Sequence, residues 1–128
     1  MVVALQRLKR RHIICCLPNG SLGLLTRMAR RAGLSLDCVL SAGVFRAYKP
    51  EPATCLGVRA CSTCHRPRDA VAAHHDDLAG ARACGLRTAA YIERPLEIGT
   101  RRPKDVAAQP GNDLHSGGRA ALADRLGC

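Results

Sequence analysis

Four short stretches hold the side chains with the most chemical potential: Asn19 within Pro18–Ser21, Lys49 within Tyr48–Pro52, the run His74-His75-Asp76-Asp77, and Cys61-Ser62-Thr63-Cys64-His65. The first three combine an amide, an ammonium, imidazoles and carboxylates, the ingredients of a polar site that handles anions and protons. The fourth reads literally as C-x-x-C-H, the attachment pattern for a c-type haem. With His74 or His75 added, Cys61, Cys64 and His65 also supply enough nitrogen and sulfur donors for tetrahedral zinc. Against zinc, the interval from Cys64 to His74 is unlike that of the usual fingers, and adjacent Cys64 and His65 share a metal only with strain. Against haem, attachment follows export, and the apolar start Met1–Leu5 is too short for a signal-peptide core, with its basic run Arg7–Arg11 behind it rather than before it. The expectation is therefore a cytoplasmic protein whose eight cysteines are reduced thiols.

The elements that must position these stretches follow from the pattern of apolar residues. His12–Leu17 is a continuous apolar run, as in a strand buried on both faces, where adjacent Cys15 and Cys16 point to opposite sides. Asn19 or Ser21 caps a helix over Leu22–Ala32, with Leu22, Leu25, Ala29 and Ala32 on one stripe and Thr26, Arg27, Arg30 and Arg31 opposite, stopped by Gly33. Cys38–Ala42 reads as a second strand. Pro50 and Pro52 break regular structure, and residues 53–63 read as helical. Ala70–Ala73 is a third strand. A helix follows to Cys84, with Asp76 and Asp77 at the positive end of its dipole and Gly85 closing it. Arg87–Ile92 is a fourth strand. Residues 1–98 thus form one incomplete Rossmann-like α/β unit, 99–118 a loop or disordered stretch without periodicity, and 119–128 a short C-terminal helix. Alternating strands and helices imply a mostly parallel sheet in a three-layer domain, where ligands sit beyond the carboxyl ends of the strands. The first three stretches lie at those ends.

Composition narrows the function classes. The 128 residues include only Phe45, Tyr48 and Tyr91 as aromatics, which weakens any reading that needs stacking platforms for single-stranded nucleic acid, and the core must rest on Leu, Val, Ile, Ala and Cys. No window reaches the roughly 18 apolar residues of a membrane span. The formal net charge of +10 is concentrated in residues 1–64, where ten Lys and Arg face only Asp37 and Glu51. Arg7, Lys9, Arg10 and Arg11 with the helical arginines give salt-dependent attraction to phosphate, but no helix-turn-helix accompanies them, so no specific nucleic-acid partner is expected.

In order along the chain, Leu17-Pro18-Asn19-Gly20, then Tyr48-Lys49-Pro50-Glu51-Pro52, then Val71-Ala72-Ala73-His74-His75-Asp76-Asp77-Leu78-Ala79-Gly80-Ala81-Arg82 resemble three successive motifs of the haloacid dehalogenase superfamily, in the manner of type II 2-haloacid dehalogenases. The similarity runs from about Leu5 to Gly99 and recurs at Leu122–Cys128. The resemblance implies a hydrolase acting on carbon–halide bonds of a small 2-haloacid, with no cofactor and no metal. In such enzymes an aspartate attacks the halogen-bearing carbon and water hydrolyses the resulting ester. Lys49 would hold that carboxylate ionised and oriented, Asp77 would position Lys49 and help activate water, and Asn19, with His74, would bind halide and substrate. The magnesium-dependent phosphatases of the superfamily carry Gly-Asp where this chain has Ala72-Ala73, and alanine coordinates no cation.

The sequence departs from the family pattern at Pro18, where a serine is expected, at Cys55, where a tyrosine is expected, and at His74, where an asparagine is expected. No Asp-x-Tyr-Gly-Thr-like segment for the attacking aspartate is present. The expectation is therefore a C-terminal portion that is inactive alone, completed by another chain or in a homodimer. The family's strand order places the missing strand between His12–Leu17 and Ala70–Ala73, so two half-sheets with an unpaired edge each are expected.

Overall fold

The computed structural model describes residues 1–61, 69–94 and 107–128. Eleven elements follow one another in these segments: α1 (Val2–Lys9), β1 (Cys15–Cys16), α2 (Leu22–Arg31), β2 (Cys38–Val39), α3 (Ala42–Phe45), α4 (Pro52–Cys61), β3 (Asp69–Ala72), α5 (His75–Ala83), β4 (Thr88–Ile92), β5 (Leu114–Ser116) and α6 (Arg119–Arg125). Every strand pairing is parallel, and the strands fall into two sheets, β1-β2 and β3-β4-β5. The expected Rossmann-like α/β architecture is present, and it is split as the strand order implied.

The three-stranded sheet carries the core. Tyr91 and Leu78 are completely buried with Ala89, and Leu122 closes over Ala90 and Ile92 from the other face. The core therefore uses one of the few aromatics as its largest member, which a count of residue types does not foretell. Register pairs Ala72 with Tyr91 and Tyr91 with His115 across the sheet. β5 lies inside the stretch expected to be loop. Its sequence, Leu-His-Ser, is too short to show periodicity, and it is held by its neighbour: Ala89 N–H donates to Asp113 Oδ2 at 2.7 Å, and Asp113 N–H donates to the Ala89 carbonyl at 2.9 Å.

The β1-β2 side is thinner. Only Cys15–Cys16 of the expected strand over 12–17 pairs, because its only ladder runs to β2. The Ile14 carbonyl accepts from Asp37 N–H and Cys38 N–H, and the Cys16 carbonyl accepts from Leu40 N–H. The expected strand over 38–42 likewise ends at Val39, and the chain turns into α3 at Ala42. Helix α2 forms as expected, with Ser21 accepting from Leu24 N–H as its N-cap and Gly33 at φ 62° beyond its end. Its apolar stripe is not packed, however. No α2 residue is buried, Leu22 is 44% exposed, and Leu25 and Ala29 are only half-covered. The stripe instead faces a slot of about 1290 Å³ between the two sheets, which Cys16 of β1, Val71 of β3 and Leu122 of α6 also line. Within the described residues, β1 pairs with β2 alone and β3 with β4 alone, so each sheet turns one free edge into this slot.

Helix α1, absent from the sequence-based expectation, packs on α6 through buried Ala4 and Leu8, one turn apart. Arg7 fastens the contact, donating to the Cys128 carbonyl and to Asp124 Oδ1. None of the helices in the described residues is long and apolar enough to cross a membrane.

Candidate functional site

The site grows from three loops. Pro18-Asn19 leaves the end of β1, Tyr48–Glu51 links α3 to α4, and Ala73-His74 links β3 to α5. Pro50 and Pro52 keep the middle loop out of a helix until α4 begins at Pro52, where proline's missing N–H costs nothing. The Lys49–Pro50 peptide bond is cis.

Asn19 clamps the middle loop. Its Nδ2 donates to the Lys49 carbonyl at 3.0 Å, and its Oδ1 accepts from Lys49 N–H at 2.8 Å. The side-chain amide thereby imitates one rung of a β-ladder and satisfies both backbone groups of Lys49. With the backbone fixed, the Lys49 ammonium reaches Asp77 Oδ2 at 3.0 Å. Both side chains are roughly three-quarters covered, so the pair is less screened than one on the open surface. Asp77 is in the first turn of α5, whose dipole favours a carboxylate there. His74 is the N-cap residue of α5 and offers the helix no side-chain cap.

Pro18, Asn19, Lys49, Pro50, His74, Asp76 and Asp77 surround one open cleft of about 430 Å³ at the carboxyl ends of β1 and β3. All four residues singled out from the sequence, Asn19, Lys49, His74 and Asp77, line this cleft. Lys49, His74 and Asp77 also line one part of the slot between the sheets, so cleft and slot communicate. The backbone clamp by Asn19 was not foreseen. Nothing in a lone Asn-Gly turn signals a partner thirty residues away, and only the folded contact reveals it. Also unforeseen is a buried thiol pair beneath the site. Burial pushes the Cys55 thiol upward, the neighbouring Cys84 and the Asp77 carboxylate push it further, and the Lys49 charge opposes them.

Ala72 ends β3 and Ala73 follows it, both lining the slot, where their methyl groups offer no metal ligand. Among the described residues, no group of three or more His, Cys, Asp or Glu side chains is gathered closely enough to hold a metal. Cys61 is the exposed last residue of α4, while Cys64 and His65 lie outside the described residues.

This arrangement of parallel βα units has counterparts among solved structures. One, an L-2-haloacid dehalogenase, superposes with a TM-score of 0.84 at 36% identity, covering 98% of this chain and 55% of its own. Another, a defluorinating L-2-haloacid dehalogenase, gives 0.89 at 34% identity, covering 99% of this chain and 52% of its own. The chain is thus similar in sequence and fold to L-2-haloacid dehalogenases, and it spans about half the length of the structures it matches. No family model matches the sequence, and comparison with curated proteins gives no match. The similarity does not favour a zinc, haem or nucleic-acid function.

Proposed function

We propose that this chain is the lysine-bearing portion of a hydrolase that displaces halide from small L-2-haloacids. One observation carries the reading: the Lys49 ammonium is ion-paired to Asp77 at 3.0 Å in a cleft at the strand ends, with its backbone clamped by Asn19. An ammonium so fixed keeps a nearby carboxylate ionised and aimed. That carboxylate attacks the carbon bearing the halogen, the carbon–halogen pair departs with the halide, and water cleaves the ester to restore the carboxylate. Asp77 positions Lys49, while Asn19 and His74 lie on the side of substrate and halide.

The attacking carboxylate has no counterpart in this sequence, and the slot supports a source for it. An extended apolar segment laid between the free edges of β1 and β3 would run parallel to both and end beside Lys49. A longer polypeptide or a second chain of different sequence would supply it.

The test is a chimera in which the nucleophile strand and cap of a solved L-2-haloacid dehalogenase precede Met1. Halide release from L-2-chloropropionate is expected from the chimera and not from the chain alone. Lys49→Met in the chimera is expected to lower the rate by about two orders of magnitude or more. A chimera that melts cooperatively yet releases no halide, or one indifferent to Lys49→Met, overturns the reading.

A further inference from the structure

A different pair of thiols stands outside the cleft. Cys15 and Cys38 are register partners in the parallel pairing of β1 with β2. Neighbouring strands are about 4.8 Å apart, which falls within the Cα separation of roughly 4.4–6.8 Å that a disulfide spans. As register partners the two side chains are on one face of the sheet. Both residues are exposed, so a small oxidant has access to both. Nothing in the proposed hydrolysis uses either thiol. The adjacent Cys16 alternates to the opposite side of β1 and pairs in register with Val39 rather than with a cysteine.

We propose that Cys15 and Cys38 form a dithiol–disulfide site that reacts with low-molecular-weight disulfides such as glutathione disulfide. The Cys38 thiolate attacks one glutathione sulfur, the glutathione S–S bond breaks, and one glutathione leaves as its thiol. The Cys15 sulfur then attacks the Cys38 sulfur of the mixed disulfide and expels the second glutathione thiol. Two protein S–H bonds are lost, one protein S–S bond forms, and one glutathione disulfide is reduced to two thiols.

The electrostatics of the pair give this order. Desolvation of its sulfur, with the neighbouring Cys38 and Cys16, pushes the Cys15 thiol up to about 12, so Cys15 is a poor first nucleophile. Once the Cys38 sulfur is tied up in the mixed disulfide it no longer opposes ionisation of Cys15, which then serves the second step. The product staples β1 to β2 across the loop that carries α2, the part of the molecule with the fewest buried side chains.

Full-length reduced chain is incubated with glutathione disulfide, blocked with an alkylating agent, digested with trypsin without reduction, and analysed by mass spectrometry. Peptide 12–27, which holds Cys15 and Cys16, is expected to be joined to peptide 32–46, which holds Cys38, with the loss of two hydrogens. The link is expected to survive Cys16→Ser, to vanish in Cys15→Ser and Cys38→Ser, and to reopen with dithiothreitol. Stable glutathione adducts on Cys15 and Cys38 separately, or a link that persists in Cys15→Ser through Cys16, would overturn the assignment.

Discussion

The two sheets of this molecule are built from the same kind of unit, a strand followed by a helix followed by a parallel strand, yet only one is a core. In β3-α5-β4 the helix contributes Leu78 and the sheet contributes Ala89 and Tyr91, all fully buried. In β1-α2-β2 the helix is the more amphipathic by sequence, and none of its residues is buried. Both helices are followed by a glycine at positive φ, Gly33 and Gly85, and α2 alone has a side-chain N-cap, from Ser21. What differs is the number of neighbours each strand has. β4 is flanked on both sides and covered by α5 and α6, whereas β1 has one partner and opens onto the slot. Amphipathicity makes a face available for burial, and the neighbouring elements decide whether burial happens.

The contrast breaks most readily by truncation in matched positions. Leu78→Ala removes a fully buried side chain from a packed interface and is expected to cost about 3 kcal/mol in denaturant unfolding. Leu25→Ala, on the half-covered stripe of α2, is expected to cost less than about 1 kcal/mol. Equal losses at the two sites would mean that the α2 face is packed in solution. Hydrogen exchange sharpens the same comparison without mutation. The Ala90 and Tyr91 amides of β4 are expected to exchange last, and the Cys16 and Leu40 region well before them.

Much of this arrangement was legible in the sequence, and the exceptions have physical causes. The capping serine, the terminal glycines and the apolar runs place α2, α5 and β4 within a residue or two. The strand ends also mark three loop segments as neighbours, and the family resemblance picks out Asn19, Lys49, His74 and Asp77 within them. Helix α1 escaped because its apolar residues are too few to show a stripe among the basic ones. Its Ala4 and Leu8 are one helical turn apart, but that spacing has meaning only once α6, more than a hundred residues later, is there to receive it. β5 escaped because a three-residue edge strand is defined by the Asp113–Ala89 exchange rather than by its own composition. The predicted burial of the α2 stripe failed for the converse reason, a sound local pattern without a covering surface.

The cleft joins the two halves, and Asn19 tests how tightly. Asn19→Ala removes both hydrogen bonds to the Lys49 backbone at an exposed position, with an expected loss of about 1 kcal/mol in global stability. The larger consequence is positional. In the chimera, losing the clamp is expected to lower turnover, and Asn19→Asp, which keeps the acceptor for Lys49 N–H, is expected to recover part of it. A turnover unchanged by Asn19→Ala would separate the clamp from the positioning of the ammonium.

The smallest expected effect concerns what holds the weaker half together. Asp37 Oδ2 accepts from Ile14 N–H at 2.8 Å, at the entry to β1, while its other oxygen meets the Lys9 ammonium of α1 at 2.8 Å. The Ile14 hydrogen bond is the main reason the carboxyl is held below its ordinary value of 3.8, and Lys9 adds to it. A carboxyl depressed on folding binds fewer protons in the native state than in the unfolded chain. Its stabilisation is therefore fully present above the unfolded value and is lost as pH falls through 3.8 toward the lower folded one. Between about pH 5 and pH 3, stability is expected to fall more steeply in the parent than in Asp37→Asn, with parallel curves above that window. The leading cause is a backbone N–H rather than a mobile ammonium, so added salt should weaken the Lys9 contribution and leave most of the difference in place. If salt abolished the difference, Asp37 would act through its ion pair with Lys9 of α1 and not through the hydrogen bond that joins the entries of β1 and β2.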